Sequence, residues 1–288
     1  MPMPDHSQPC LVCEETDFEF IYDNTLKRCR SCTHVSANMQ ADKEMLKKVY
    51  STNYFLGEEY LDYVKEKNVL QVNFRKRLNR ASALVSFNEK QSVMELGCAY
   101  GFFAEVLLQK FPFLVYAGLD IAEEACLHAR TTLGVNCMTG DYLDYTDMAK
   151  YHHAFMWDVI EHLGSPALYV EKLAAAMEPS AKIYITTGDI SALLPRLQKK
   201  KWRMIHPPSH LQYFTRKSMT RLLETRGFRV LKIIYPSTAR SVRQVFFSLF
   251  MLNRKETRLK KFFYNLIPEK IYFPLNTFDI MFVIAEKK

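Results

Sequence analysis

The chain has 288 residues and a mass of 33.7 kDa, with 48% hydrophobic and 24% charged residues. A sizeable core is therefore available without disulfides, and the composition excludes collagen-like, coiled-coil and wholly disordered classes. The net charge of +8 is unevenly spread, because residues 191–276 carry 19 Lys and Arg against three acids. Such a basic segment favours an anionic partner, namely a phosphorylated substrate, nucleic acid or an acidic membrane surface, although a solvated face would have the same composition.

Neither a membrane span nor a secretory signal is predicted. The most apolar stretch, residues 245–252, includes Ser248 and is far shorter than the ~18 apolar residues that a spanning helix needs. The first ten residues lack the basic start, apolar middle and small-residue cleavage site of a secretory signal. We therefore expect a cytoplasmic protein.

Four cysteines near the N-terminus, Cys10, Cys13, Cys29 and Cys32, form two CxxC pairs with fifteen residues between them. This spacing can bring four thiolates around one tetrahedral Zn²⁺, with a hairpin between the pairs. Four sulfur ligands leave no position for water, so such a zinc would be structural. Two disulfides or a redox pair are the alternatives, and the absent secretory signal disfavours the disulfides. Residues 1–40 are predicted to form a zinc-ribbon-like module.

Residues 41–90 are predicted to be a helical linker, because apolar residues recur there at helical spacing. Its tyrosine-rich part has two interpretations. It packs as an amphipathic surface onto the next domain, or Tyr54 and Phe55 form an aromatic lid over a ligand.

From Ser92 onward, short apolar strands alternate with helical segments. This alternation predicts a doubly wound α/β domain over residues 91–288, in which ligands bind beyond the carboxyl ends of the strands. The predicted strands are 92–97, 114–120, 135–140, 153–159 and 182–188, with helices near 102–111, 122–133 and 166–178.

The first predicted strand leads into ELGCAYG, in which Gly97 and Gly101 flank a tight turn that lets the backbone approach a ligand. The third glycine of a dinucleotide phosphate clamp is missing, and Glu95 would place a carboxylate near a pyrophosphate. A nicotinamide cofactor is therefore disfavoured. An acid at this position suits a ligand with an ammonium group.

The next three strands also end in polar residues. Asp120 lies where an acid holds a ribose diol. Asp141 and Tyr142 suit an adenine amino group and ring face, and the fourth strand ends at Trp157 and Asp158. Any one of these acids is readily explained as a loop residue or helix cap, but four clusters in strand order indicate a site.

With these motifs the chain resembles a class I S-adenosylmethionine-dependent methyltransferase from about Tyr50 to Lys288. The resemblance implies a Rossmann-like sheet that is mostly parallel with an antiparallel last strand. It also implies S-adenosylmethionine as the cofactor. The residues implied to contact that cofactor are Glu95, Gly97, Cys98, Ala99 and Gly101 in the glycine-rich motif, Asp120 and Ile121 at the ribose and adenine, and Asp141 and Tyr142 at the adenine. The chain departs from the family in having EPSAK at 178–182 in place of a frequent glycine pair.

Two further segments resemble particular subgroups of these methyltransferases. DVIEHL at 158–163 is similar to ubiquinone-biosynthesis O-methyltransferases and to sugar-modifying relatives, and HPPSHLQYF at 206–214 resembles their substrate-side segment. A four-cysteine module before a tyrosine-rich linker is similar to deoxysugar C-methyltransferases, although their additional C-terminal domain has no counterpart here.

Methyl transfer to a hydroxyl or carbon acceptor needs a base. His210 is the first candidate, because it matches the histidine of the C-methyltransferase segment and an ordinary imidazole titrates near neutrality. Ser209 stands where that segment often has an acid. His162 is the second candidate, with Glu161 beside it as an orienting group or metal ligand, and His206 is the third. For either leading histidine a structural role competes.

Residues 236–276 are predicted to be an insertion of one or two amphipathic basic helices before the last strand, which either pack on the domain, cap the pocket, mediate dimers or touch an anionic membrane. No nucleic-acid motif accompanies the charge, so nucleic acid is not the expected partner. The favoured function is methyl transfer to a small anionic metabolite, such as a sugar nucleotide or a glycan or natural-product precursor. The alternatives are a quinone- or lipid-type O-methyltransferase at the inner face of a membrane and a non-catalytic cofactor-binding docking protein.

Overall fold

The computed structural model describes residues 8–39, 63–146, 150–243, 245–246, 257–268 and 271–288. In this part of the chain the strands are β1 Phe18–Ile21, β2 Leu26–Cys29, β3 Val35–Ala37, β4 Ser92–Leu96, β5 Val115–Asp120, β6 Cys137–Thr139, β7 Tyr151–Trp157, β8 Met177–Gly188, β9 Gln212–Tyr213, β10 Phe228–Ile234, β11 Thr238–Ser241, β12 Tyr272–Leu275 and β13 Ile280–Lys287. The α-helices are α1 Lys67–Ser82, α2 Phe102–Lys110, α3 Glu123–Leu133, α4 Pro166–Ala176, α5 Leu193–Gln198, α6 Arg216–Glu224 and α7 Arg258–Leu266, with single 3₁₀ turns at Ile160–His162 and Lys199–Lys201.

A seven-stranded sheet with the order β10-β13-β8-β7-β4-β5-β6 forms the centre of the molecule. The strands from β8 to β6 pair in parallel, and β13 pairs antiparallel with both β8 and β10. Its middle strands are apolar on both faces, as helices on either side of a parallel sheet require. The prediction of a Rossmann-like sheet with an antiparallel last strand is confirmed.

The strand order reverses between β4 and β7. The chain proceeds outward through β5 and β6, then returns to place β7 on the other side of β4. The turn after β4 and the 3₁₀ turn after β7 are therefore neighbours at the carboxyl edge of the sheet. A crevice at such a reversal is the expected ligand site of an open α/β sheet.

The start of β8 differs from the prediction. The helix before it ends at Ala176 and the strand begins at Met177, whereas a strand was expected only from Lys182. Met177 pairs with Tyr151 and Lys182 pairs with His153, so the intervening residues bulge out of the ladder, with Ser180 at φ 63°. EPSAK thus forms an irregular strand entry in place of a glycine turn.

The N-terminal module shares a sheet with the rest of the chain. Strands β1, β2 and β3 form an antiparallel meander, and β3 pairs with β9. The Thr33 and Thr215 hydroxyls lie 2.8 Å apart, and Lys217 donates to the Ser31 carbonyl at 2.8 Å. The module is therefore attached through backbone pairing as well as side chains.

The predicted insertion contains an antiparallel hairpin, β11 with β12, and α7 between these strands. The hairpin packs on α1, where Asn73 bonds both the amide and the carbonyl of Ala239, at 2.6 and 3.0 Å. None of the helices in the described ranges has the length and apolar character needed to cross a bilayer.

Candidate functional site

The turn after β4 has the backbone geometry of a ligand-binding turn. Gly97 and Gly101 both have φ +74°, and Ala99 has φ 44°. A Cβ on Gly97 would collide with Val159 Cγ2, and one on Gly101 would lie 2.8 Å from Val135 Cγ2. Only glycine fits these two positions without strain, because each combines a left-handed φ with a close neighbour. The turn then leads directly into the N-terminus of α2.

Asp120 closes this turn from the end of β5. Its Oδ2 accepts from the Ala99 amide at 2.8 Å and its Oδ1 accepts from the Ala122 amide at 2.9 Å. Burial raises the pKa of Asp120, and these backbone donors oppose the rise. Ile121, the next residue, is 44% exposed, so its side chain faces the crevice or solvent. A carboxylate beside an exposed apolar residue suits a ribose with its base.

Glu95 is buried below the turn, and it accepts a hydrogen bond from the Tyr116 hydroxyl. Burial raises the pKa of Glu95 well above its ordinary value, although the Tyr116 bond opposes this shift. A positively charged ligand group near Glu95 would offset the burial cost by favouring the ionised carboxylate.

Asp141 and Tyr142 follow β6. Asp141 Oδ1 accepts from the Leu143 amide at 2.9 Å and from the Tyr169 hydroxyl at 2.5 Å. Tyr142 is buried, and Lys172 Nζ lies 5.2 Å from the centre of its ring. Both residues are therefore fixed by α4, which carries Tyr169 and Lys172.

Trp157 and Asp158 end β7 in different surroundings. The Trp157 ring is buried among Phe103, Phe155 and Phe282, so its side chain belongs to the core. Asp158 has φ 56° and forms an ion pair with Arg77, Nη2 to Oδ2 at 3.0 Å. Burial opposes ionisation of Asp158, but the Arg77 charge outweighs it and the pKa is lowered.

Three histidines and Glu161 meet beyond the end of β7. The His162 and His210 ring centres are 4.6 Å apart, and those of His206 and His210 are 3.9 Å apart. His162 Nδ1 lies 2.8 Å from the Ser209 carbonyl, and His210 Nδ1 lies 2.9 Å from the Met204 carbonyl. A carbonyl can only accept, so both rings donate from Nδ1 and carry their basic lone pair on Nε2. The two predicted bases are thus brought together.

The environment keeps these histidines uncharged. Burial lowers the pKa of His162 to about 4, and burial together with the charges of His162 and His206 holds the pKa of His210 well below its ordinary value. Burial, with the nearby Asp158 charge, raises the pKa of Glu161 to about 8. Neutral imidazoles can accept a proton or ligate a metal ion.

The cluster also has the composition of a cation site. One donor atom each from Glu161, His162 and His210 lies within 4.8 Å of the others. Glu161 is 2% exposed, and among the described residues neither of its carboxylate oxygens has a hydrogen-bond partner. Histidines that donate Nδ1–H to backbone carbonyls present Nε2 in a fixed direction, as metal ligands do. The three residues therefore fit a divalent cation.

The four N-terminal cysteines converge as their spacing predicts. The Sγ atoms of Cys10 and Cys32 are 3.5 Å apart, as are those of Cys13 and Cys29, and all four lie within 4.8 Å of one another. Tetrahedral zinc with Zn–S bonds of about 2.3 Å requires sulfur atoms about 3.8 Å apart. All four are free thiols, so the arrangement fits one zinc ion better than two disulfides.

Most predicted residues lie at the carboxyl edge of the sheet. Val159 connects the glycine turn after β4 with the histidine cluster. Its side chain packs over Gly97, and the residues that follow it form the 3₁₀ turn that carries His162. Cys98 is buried against Gly118, so only its backbone faces the turn. Tyr54 lies outside the described residues, and its role as a lid stays a prediction.

Four residues that contact or border the candidate site were not predicted from the sequence: Arg77, Tyr116, Tyr169 and Arg203. Tyr116 and Tyr169 hold the two predicted carboxyl groups Glu95 and Asp141. Arg77 reaches Asp158 from a helix 81 residues earlier in the chain, and no local pattern signals this pairing. Arg203 is 44% exposed at its side chain and lies 3.7 Å from Asp279. The basic composition of its segment was the one available signal.

One protein family matches the greater part of the chain. The family model described as a methyltransferase domain matches residues 67–233, more than half of the chain. The chain belongs to this methyltransferase family. It is an S-adenosylmethionine-dependent methyltransferase. No curated protein sequence matches the chain.

Solved structures share this methyltransferase fold at low identity. Magnesium protoporphyrin IX methyltransferase from Synechocystis PCC 6803, with bound S-adenosylhomocysteine, is 15% identical with a TM-score of 0.53, covering 86% of this chain and all of that one. An S-adenosylmethionine-dependent methyltransferase from Archaeoglobus fulgidus is 18% identical with a TM-score of 0.52, covering 85% and 100%. A Haloferax volcanii structure of a methyltransferase complex with the activator Trm112 is 15% identical with a TM-score of 0.56, covering 77% and 93%.

Proposed function

We propose that this methyltransferase acts on a small anionic metabolite, namely a sugar nucleotide or a glycan or natural-product precursor, with a histidine as general base. The observation that carries the proposal is the pairing of His162 and His210, each with Nδ1 committed to a backbone carbonyl. The basic nitrogen of each ring is then defined, and it lies at the edge of the sheet where the cofactor turn ends.

Bound S-adenosylmethionine supplies an activated methyl group on its sulfonium. The chain's task is to orient the two reactants and to remove a proton from the acceptor. Asp120 would hold the ribose, Glu95 the ammonium group, and Asp141 with Tyr142 the adenine. His210 Nε2 would take the acceptor proton, and His162 would hold the neighbouring ring in place.

The charge distribution supports an anionic acceptor. Arg203 is close enough to His206, His210 and Asp158 for its charge to act on their pKa values, and it is exposed. Lys199 and Lys201 precede it on the same surface segment and are exposed as well. Cationic side chains at the mouth of a site concentrate anionic ligands there.

A metal-assisted version of the reaction is the second candidate, and the partnerless buried Glu161 carboxylate favours it. Glu161, His162 and His210 would hold the cation, which would bring an acceptor oxygen near the methyl group. Chelator treatment would then abolish turnover, and added Mg²⁺ or Mn²⁺ would restore it. A histidine base without a metal predicts turnover that chelators do not change.

We also propose that Cys10, Cys13, Cys29 and Cys32 bind one structural Zn²⁺. The sulfur separations support this assignment. Each cysteine is used as a ligand, so the ion would stabilise the module without taking part in methyl transfer.

A methyl-release assay over nucleotide sugars, quinone precursors and RNA tests the function. His210→Ala and His162→Ala should lower kcat at least about 100-fold on the true acceptor while S-adenosylmethionine affinity changes little. His152→Ala is the matched control, because His152 contacts Ser92 at the opposite edge of the sheet, and it should keep full turnover.

Two results would contradict this proposal. Full turnover by both histidine variants would remove the base assignment. Tight cofactor binding with no turnover on any acceptor would instead favour a docking protein.

A further inference from the structure

Large apolar side chains project from the carboxyl edge of the central sheet next to the site. Leu193 and Leu197 on α5 are 72% and 71% exposed, and Phe278 is 64% exposed. Leu193 and Leu197 are four residues apart, so they lie on one face of the helix. Exposed apolar residues are ordinary when scattered, but a group at one edge marks an interaction surface.

The sheet register places these side chains on one edge. Gly188 at the end of β8 pairs with Ile280 at the start of β13, so the segments beyond them are neighbours. Trp202 Nε1 donates to Asp279 Oδ2 at 2.8 Å, which ties the segment after α5 to the residue after Phe278. The same edge carries the 3₁₀ turn with Glu161 and His162.

The β11–β12 hairpin extends this apolar group. Every residue of β12 is exposed, including the large side chains Tyr272, Phe273 and Leu275. The hairpin joins the edge through Asn276, whose side chain donates to the Tyr235 carbonyl at 2.9 Å. We call Leu193, Leu197, Phe278 and the β12 side chains the apolar edge.

Exposed cations border the apolar edge. The stretch from Ile190 to Arg203 contains five Lys and Arg and no acid, and all five are exposed: Arg196, Lys199, Lys200, Lys201 and Arg203. Lys200 pairs with Asp23 at 2.9 Å, but both side chains remain largely in solvent. These five cations outnumber the nearby acids Asp23, Asp189 and Asp279, so the net charge at this surface is positive.

We propose that the apolar edge and its cations bind the surface of an anionic lipid bilayer. Separate apolar side chains can each enter the headgroup boundary, while neighbouring lysines and arginines pair with anionic headgroups. An anionic bilayer complements this positive surface. A second copy of the chain would present the same positive charge and would be repelled, so lipid is favoured over a dimer. This inference does not depend on the proposed acceptor or base.

Co-sedimentation of the full chain with vesicles tests the inference. Vesicles of phosphatidylcholine with one-third phosphatidylglycerol should bind the protein, and vesicles of phosphatidylcholine alone should bind it at least tenfold more weakly. The triple variant Leu193→Ser, Leu197→Ser, Phe278→Ser should lose at least tenfold in binding. Lys199→Gln and Lys201→Gln should each cost about fivefold, because a lysine near an anionic surface contributes about 1 kcal/mol.

The matched control is Leu84→Ser with Val115→Ser, two exposed apolar residues away from this edge. The control should bind vesicles as the parent chain does, and cofactor affinity should be unchanged in every variant. The inference is overturned if the parent chain does not bind anionic vesicles, or if the triple variant binds as well as the control. It is equally overturned if the apolar edge proves to join two copies, so that a dimer is dissociated by the triple variant and does not bind vesicles.

Discussion

Glu95 and Asp120 are two carboxyl groups of one crevice that differ in how their charge is stabilised. Asp120 accepts two backbone amides, which suit an ionised carboxylate, whereas Glu95 has a tyrosine hydroxyl as its partner in a more buried position. The pKa of Glu95 is accordingly held well above its ordinary value. Glu95 therefore carries a proton over a pH range in which an exposed glutamate is ionised.

This difference predicts how stability depends on pH. The folded chain keeps the Glu95 proton above the pKa of an unfolded glutamate, so the stabilisation is fully present below pH about 4.5 and is lost as pH rises through the folded pKa. The free energy of unfolding should fall with pH in this window by up to about 1.4 kcal/mol per unit more in the parent chain than in Glu95→Gln. Urea unfolding at a series of pH values measures this difference.

The groups that face Glu95 are Tyr116, Asp120 and Cys137, so they must be accounted for in that series. Tyr116→Phe removes the hydroxyl and should raise the Glu95 pKa further, since the bond favours the ionised form. If the free energy of unfolding changed with pH in parallel for the parent chain and Glu95→Gln, the assignment of a raised Glu95 pKa would be contradicted.

At the residue scale, sequence position predicted the acids that end strands, because carboxyl ends of parallel strands share one edge. The structure places Asp120 and Asp141 at that edge, as this reasoning expects. Arg77 and Tyr116 were not, since their partners are fixed only when a helix and a neighbouring strand pack together. Trp157 also ends a strand, but its ring is buried among core aromatic side chains, because β7 is a middle strand with both faces covered.

At the scale of elements, two helices each have a glycine at one end, and the surroundings of these two glycines differ. Gly101 begins α2 and Gly134 ends α3, and both have left-handed backbones with φ +74° and +66°. A Cβ at Gly101 would lie 2.8 Å from Val135 Cγ2, whereas a Cβ at Gly134 would have no atom within 4 Å. A side chain at Gly134 would therefore introduce backbone strain alone, whereas a side chain at Gly101 would introduce backbone strain and steric overlap.

Alanine substitution should make this separation measurable. Gly134→Ala should lower the free energy of unfolding by about 1–2 kcal/mol, the cost of a left-handed non-glycine residue. Gly101→Ala adds overpacking and should cost about 2–5 kcal/mol. Denaturant unfolding gives both values. Equal losses would mean that the turn before α2 has room for a side chain and that its glycine is not required by packing.

Element boundaries were predicted well where apolar runs met turn residues, as for β5 and α3. The start of β8 was not predicted correctly, because its bulge depends on pairing with Tyr151 and His153 on the neighbouring strand. The pairing of β3 with β9 likewise joins segments almost 180 residues apart, which no local pattern indicates.

On the scale of the whole molecule, this pairing makes the cysteine module part of the methyltransferase. His34 bonds Gln212 at 2.9 Å and Arg226 reaches the Val12 carbonyl at 3.3 Å, so the module contacts the substrate-side segment and the turn after α6. Because β9 begins two residues after His210, a change in the module would shift the segment that holds the proposed base.

Zinc removal should therefore affect the whole chain. Elemental analysis should give one zinc per chain, and a strong chelator should lower Tm in a single cooperative transition and reduce turnover. Cys29→Ser should reproduce both effects, whereas Cys126→Ser, a buried cysteine outside the cluster, should retain the zinc. A separate low-temperature transition with unchanged turnover would show that the module folds independently.

We expect the crevice between β4 and β5 to bind S-adenosylmethionine, with Asp120 on the ribose. Titration calorimetry of the full chain with S-adenosylmethionine tests it most directly, with Asp120→Asn and the exposed control Glu89→Gln in parallel. We predict one site per chain, at least about tenfold weaker binding for Asp120→Asn, and no change for Glu89→Gln. Absence of binding to the parent chain would mean that this crevice is not a cofactor site, and equal affinity in Asp120→Asn would mean that Asp120 does not hold the ribose.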